Sequence, residues 1–146
     1  MSVEHDTFVL ERDYPVPPAR VFEAFSDPEL KKSWFGAPGW ESEMDFHVGG
    51  RESSRGEFES GQSISFDARY YDIVQDERIV YAYEMRMGGK RISVSLASFE
   101  FHPEGDGTRL RLTEQGAFLD GRDKPDVREG GTRSLLDSLG EVLAQR

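Results

Sequence analysis

The sequence predicts an α+β fold: a curved antiparallel sheet wrapped around one long C-terminal helix. Three observations predict it. Between Glu43 and Phe118, apolar and polar residues alternate in runs broken by Gly and Asp turns, the period of half-buried strands. From Pro125 onward the period changes, and Val127, Leu135, Leu136, Leu139, Val142 and Leu143 recur at helical spacing. Between a first strand and the remaining strands, Tyr14 to Trp40 reads as two short helices in a bent clip. Consecutive strands with short turns form a meander, and a strongly curved meander gripping a helix is the natural arrangement.

The elements follow in order. Thr7 to Tyr14 is a strand with Phe8, Leu10, Arg12 and Tyr14 on one face. Pro15, Pro17 and Pro18 end it, and Pro18 suits the first turn of a helix that buries Val21, Phe22 and Phe25. Asp27 is a good N-cap for a second helix, with Pro28 at its first position and Glu29 at the positive end of its dipole. That helix runs to about Trp34 and gives way to the aromatic, Gly/Pro-punctuated loop Phe35 to Trp40. Met44, Phe46 and Val48 share one face of the next strand, and Gly49-Gly50 turns it. Arg51 to Phe58 is polar and reads as an edge strand. Ile64, Phe66, Ala68 and Tyr70 share a face, and Tyr71-Asp72-Ile73 breaks the parity, as a bulge would. Ile79, Tyr81, Tyr83, Met85 and Met87 alternate along a long strand that ends at Gly88-Gly89. Ile92, Val94 and Leu96 have one parity and Phe99 and Phe101 the other, which places a second bulge near Ala97-Ser98. Leu110, Leu112, Glu114, Gly116 and Phe118 share a face of the last strand. Asp123 or Asp126 can cap the final helix. Gly130 and Gly131 lie inside it, which implies close packing or space left for something, so both are expected to face the sheet or a pocket.

Pro17, Pro18, Val21, Phe22, Ala24, Asp27, Pro28, Trp34 and Phe35 resemble the opening motif of the START-like (SRPBCC) superfamily. They most resemble the branch of the activator of heat-shock-protein-90 ATPase homologue. Gly49-Gly50, Asp72-Ile73, Glu77 to Tyr81 and Gly107 to Leu110 extend the likeness over nearly the whole chain. The resemblance implies the helix-grip fold, with about six or seven strands in one domain spanning residues 1–146. It also implies a small apolar ligand held between sheet and helix. The family often carries Trp where this chain has Gly131, a departure that would enlarge the space, and a His or similar polar residue where this chain has Glu114.

Bulk properties narrow the function. The net charge of −10 disfavours nucleic acid and anionic membranes, and fits a soluble protein. No run reaches the length of a membrane span, and the N-terminus lacks the pattern of a signal peptide. With no cysteine the chain forms no disulfide or thiolate site, which fits a cytoplasmic location. His5, His47 and His102 lack metal-ligand spacing, Gly105-Asp106-Gly107 is not a phosphate loop, and no nucleophile elbow is present. No cofactor and no catalytic set is assigned.

The aromatic and Met-rich composition remains. The candidate ligand-binding residues are Trp34, Phe35, Trp40, Phe46, Tyr81, Tyr83, Met85, Phe99, Glu114, Gly131 and Leu135. Phe22, Phe25, Ile79, Leu110, Leu112 and Leu139 read as ordinary core. Tyr and Trp carry a polar group that a ligand or trapped water can satisfy, and Met adapts to varied shapes. A cavity is expected between sheet and C-terminal helix, with Trp34, Tyr83 and Phe99 on its wall. Glu114 follows Leu110 and Leu112 at period two, so it faces inward with them and needs a partner; Arg12 or a Tyr hydroxyl would serve. The expected function is binding of a small hydrophobic molecule such as a lipid, polyketide or aromatic compound, by a monomer or homodimer. The alternatives are a cyclase or hydrolase using the same cavity, and a chaperone-associated interaction module.

Overall fold

The computed structural model describes residues 2–145. The chain runs β1 (Val3–Tyr14), α1 (Pro18–Ser26), α2 (Pro28–Trp34), β2 (Glu41–Met44), β3 (Arg51–Glu57), β4 (Ser63–Val74), β5 (Arg78–Met87), β6 (Lys90–Glu104), β7 (Gly107–Leu119) and α3 (Pro125–Ala144). The strands form one curved seven-stranded sheet in the order β1-β7-β6-β5-β4-β3-β2, antiparallel throughout. This is the α+β helix-grip arrangement the periodicities predict. β1 reaches its place beside β7 from the far end of the sequence, so the α1–α2 clip spans the concave face from one edge of the sheet to the other.

Local chemistry sets the clip. The Asp27 carboxylate accepts from the Glu29 and Leu30 amides, capping α2 as expected. Val21, Phe22, Ala24 and Phe25 of α1 are buried. α3 packs chiefly on β1, α1 and α2 and much less on the central strands. Leu136, Leu139 and Leu143 form its buried stripe. The Tyr14 hydroxyl donates to the Leu136 carbonyl over 2.8 Å and ties the end of β1 to α3.

Several local expectations are corrected. The edge strand is β2; β3 lies inside it, and its polar residues Glu52 and Ser54 point into the protein, buried opposite Ala68 and Phe66. The bulge in β4 falls between Tyr70 and Asp72, as predicted. The β6 irregularity falls instead where Ser93 and Arg91 face Met85 and Arg86, before Ala97-Ser98. Ser93 and Ser95 therefore face inward with Ala97 and Phe99, while Val94 and Leu96 are exposed on the outer face. Val127 is 65% exposed, and the first turn of α3 buries Pro125 and Arg128 instead. α3 has no side-chain cap, because its N-cap position is Lys124, which has no acceptor; Asp123, one residue earlier, accepts from the Lys124 amide and from Arg128 instead. Gly130 and Gly131 are exposed, and a Cβ on either would meet no atom within 4 Å. They do not pack against the sheet, although Gly131 lies three residues from buried Arg128 and four from half-buried Leu135.

Candidate functional site

The concave face of β3–β7 carries an aromatic layer. Phe66, Tyr81, Tyr83 and Phe99 stand on neighbouring strands, with ring centroids 4.8 Å apart for Phe66–Tyr83 and 5.6 Å for Tyr81–Phe99. Phe25 bridges this layer to the clip, 4.9 Å from Phe99 and 5.0 Å from Trp34. Phe35 closes on Phe66 at 5.0 Å. Such tilted and edge-to-face pairs each add about 0.5–1.5 kcal/mol beyond area burial.

Two polar clusters are set into this layer. The first joins β5, β6, β7 and α3. The Tyr83 hydroxyl donates to the Glu114 carboxyl. Arg128 donates to the Tyr83 oxygen (3.1 Å), to Ser93 Oγ (2.8 Å) and to Asp123 Oδ2 (2.6 Å). Its guanidinium also lies over the Tyr83 and Phe118 rings. Burial holds the Glu114 carboxyl above the ordinary glutamate range, against the opposing pull of the Tyr83 hydrogen bond and the Arg128 charge. Burial, followed by the nearby Glu114 charge, pushes the Tyr83 phenol up as well. The Ser95 Oγ lies directly across from Tyr83 and Gly116, buried and without a hydrogen-bond partner.

The second cluster joins α2, β3 and β4. Lys31 Nζ lies 3.1 and 3.0 Å from the two Glu52 oxygens, and the Tyr70 hydroxyl donates to Glu52. The rings of Phe25, Trp34, Phe35 and Tyr81 surround the ammonium, with Phe35 nearest at 4.5 Å. Two residues along β3, Ser54 Oγ is buried without a partner. Tyr81 lies between the clusters, its phenol raised by burial and then by the charge of Glu52.

The residues singled out from the sequence sort into groups. Trp34, Phe35, Tyr81, Tyr83 and Phe99 come together in the aromatic layer, with Met85 and Leu135 half-buried against the same core. Glu114 faces inward as expected, but Arg12 is not its partner: Arg12 pairs with Asp137 of α3 at 3.3 Å. The Trp34 indole donates to the Ala24 carbonyl over 2.9 Å, so the protein itself satisfies that group. Phe46 packs on Phe22 and Tyr70. Trp40 lies over Gly56, where any Cβ would overlap its indole, and beside Phe58 at the end of β3. Lys31, Glu52, Arg128, Ser93 and Ser95 were missed. The available signals were the i, i+3 placement of Lys31 with Trp34, and the period-two placement of Glu52 with Ser54.

Two clefts of about 620 Å³ each lie elsewhere. One runs between α1 and the end of β4, lined by Phe22, Glu23, Phe46, His47, Ile73 and Asp76. The other lies on the outer sheet face around His5, Thr7, Val94, Leu96 and Ala117. Neither is lined by Trp34, Tyr83 or Phe99, the residues expected on a cavity wall.

Comparison with known proteins decides the family. The profile described as "Activator of Hsp90 ATPase homolog 1-like protein" matches residues 15–144. The chain belongs to the activator of Hsp90 ATPase homolog 1-like family. Its helix-grip fold recurs in solved structures of similar proteins. Mll3558 protein from Rhizobium loti is 48% identical with a TM-score of 0.92, covering 97% of this chain and 99% of its own. A putative uncharacterized protein from Rhizobium leguminosarum is 42% identical with a TM-score of 0.95, covering 99% and 98%. Protein CV1439 from Chromobacterium violaceum is 27% identical with a TM-score of 0.79, covering 94% and 96%. Comparison with functionally curated proteins gave no match. Among the described residues, no helix is long and apolar enough to cross a membrane.

Proposed function

We propose that this family member binds a small hydrophobic molecule on the concave face, between the central strands and the N-terminal half of α3. The observation that carries this reading is the Tyr83–Glu114–Arg128 cluster, buried at the margin of an aromatic layer. Apolar burial supplies the binding energy of such a site, and a few convergent polar groups orient the ligand. Glu114 and Tyr83 form the polar margin of the site, Arg128 positions Tyr83, and Tyr81, Phe99 and Met85 supply apolar contact. Gly131 is exposed on α3, three residues from Arg128 and four from Leu135, and the entrance is proposed beside it. Since the rings of the layer touch one another, a ligand enters by spreading α3 and the clip from the sheet. Native mass spectrometry of freshly purified protein tests this reading. A co-purified apolar molecule of defined mass, released on denaturation and absent from a Tyr83→Ala variant, is the expected result. Protein that stays ligand-free and takes up no apolar probe contradicts it.

A cyclase or hydrolase is the second reading, favoured by one observation. Glu114 is a buried carboxyl, held by burial above its ordinary range and hydrogen-bonded to a phenol, the equipment of a general acid. Turnover of a bound ligand that is lost in Glu114→Gln, with binding kept, distinguishes it from simple binding.

A further inference from the structure

Each polar cluster leaves one group over. In the first, Arg128, Tyr83, Glu114, Ser93 and Asp123 satisfy one another, and Ser95 Oγ is left without a partner at 4% residue exposure. In the second, Lys31, Glu52 and Tyr70 satisfy one another, and Ser54 Oγ is left at 2% exposure. Buried hydroxyls without partners are uncommon, and each calls for an explanation. Both serines share the concave face with the aromatic layer: Ser95 stands across from Tyr83, and Ser54 across from Phe66.

The placement gives a length and a chemistry. Ser54 on β3 shares a cross-strand row with Phe66, Met85 and Ser93, so Ser95 on β6 lies three strand spacings across the sheet and two residues along it, about 16 Å away. Between them the floor is apolar: Phe66 and Ala68 on β4, Tyr83 and Met85 on β5. The two cations pair locally, Lys31 with Glu52 and Arg128 with Asp123, so neither end holds a spare cation for an anionic group. A hydroxyl both donates and accepts, which suits an alcohol, phenol or carbonyl. Resting on the concave-face reading, we propose that the ligand is two-ended: an elongated apolar molecule with a neutral hydroxyl or carbonyl at each end, one bound at Ser95 and the other at Ser54.

Three fluorescent probes test this on the full chain: trans-stilbene, its mono-para-hydroxy derivative and its di-para-hydroxy derivative. Each hydroxyl that meets a buried unpartnered serine is expected to tighten binding about tenfold. Ser54→Ala and Ser95→Ala should each remove one of those steps for the di-hydroxy probe and leave stilbene affinity unchanged. Unchanged or raised thermal midpoints in both variants show that the fold is kept, because each loses only a group without a partner. Equal affinity of the three probes for the unmodified protein overturns the two-ended ligand and leaves the concave-face reading standing. So does an equal loss for all three probes in the Ser→Ala variants, since that marks a change of shape. Failure of all three probes to bind overturns both.

Discussion

Replacing Arg128 with Met removes the one cation of the Tyr83–Glu114 cluster and keeps most of its apolar stem. The Arg128 side chain is 8% exposed and that of its partner Asp123 is 12% exposed. The variant leaves the Asp123 carboxylate largely buried without its 2.6 Å partner, and Ser93 and Tyr83 each lose a donor. Breaking a buried pair by removing one member costs about 3–5 kcal/mol, most of it from the stranded charge. For a chain of this size that lowers the thermal midpoint by about 10–15 °C. The assay is urea and thermal unfolding followed by circular dichroism, on Arg128→Met, Asp123→Asn and the double variant. Because the cost arises from an unpaired carboxylate, the double variant should be more stable than Arg128→Met alone. A single-variant loss below about 1 kcal/mol, or a double variant no better than Arg128→Met, refutes the reasoning.

Three further outcomes are expected. Glu114 is raised in the folded state, so the native protein retains a proton that the unfolded chain has released. Its contribution to stability is therefore greatest below the ordinary glutamate range and is lost as pH rises through the folded value; Glu114→Gln should remove that part of the pH dependence of urea midpoints measured from pH 4 to 9, and an identical pH profile in both proteins contradicts it. Lys31→Met strands Glu52, which is only 4% exposed, and should cost about 3–5 kcal/mol in the same unfolding assay, with Glu52→Gln on that background recovering part of it. Gly131→Trp meets open space at its Cβ, so the fold should be kept while uptake of an apolar dye such as ANS slows or weakens as the indole covers the entrance; unchanged dye binding places the entrance elsewhere.

The fold was legible where apolar periodicity was clean. Helix α3, the clip and the β4 bulge all follow from spacing and from Pro, Gly and Asp chemistry. The candidate site was half legible for the same reason. Tyr81 and Tyr83 declare their face by their period-two spacing with Ile79 and Met85, Phe99 by alternating with Ser98 and Glu100, and Glu114 inherits its orientation from Leu110 and Leu112. The polar partners break the alternation that sequence reading depends on. β3 looked like an edge because Glu52 and Ser54 are polar, yet they face Ala68 and Phe66 and are satisfied or left over deep in the protein. Ser93 and Ser95 were hidden by Val94 and Leu96, which look like core residues and lie on the outer face. Arg128 was hidden beside Val127 in the same way. Nothing local to Arg12 showed that Asp137, far along the chain, would claim it in place of Glu114.

The concave face is proposed to bind small apolar molecules. NMR titration of isotope-labelled protein with ANS tests it most directly, because the three candidate regions carry different reporters. Shift changes are expected to centre on the Trp34 indole, Tyr83, Phe99, Ser95 and the amides of Gly130 and Gly131. Changes centred on Val94, Leu96 and Ala117 of the outer face, or on Phe46, His47 and Ile73 beside α1, with the concave reporters unmoved, would contradict it.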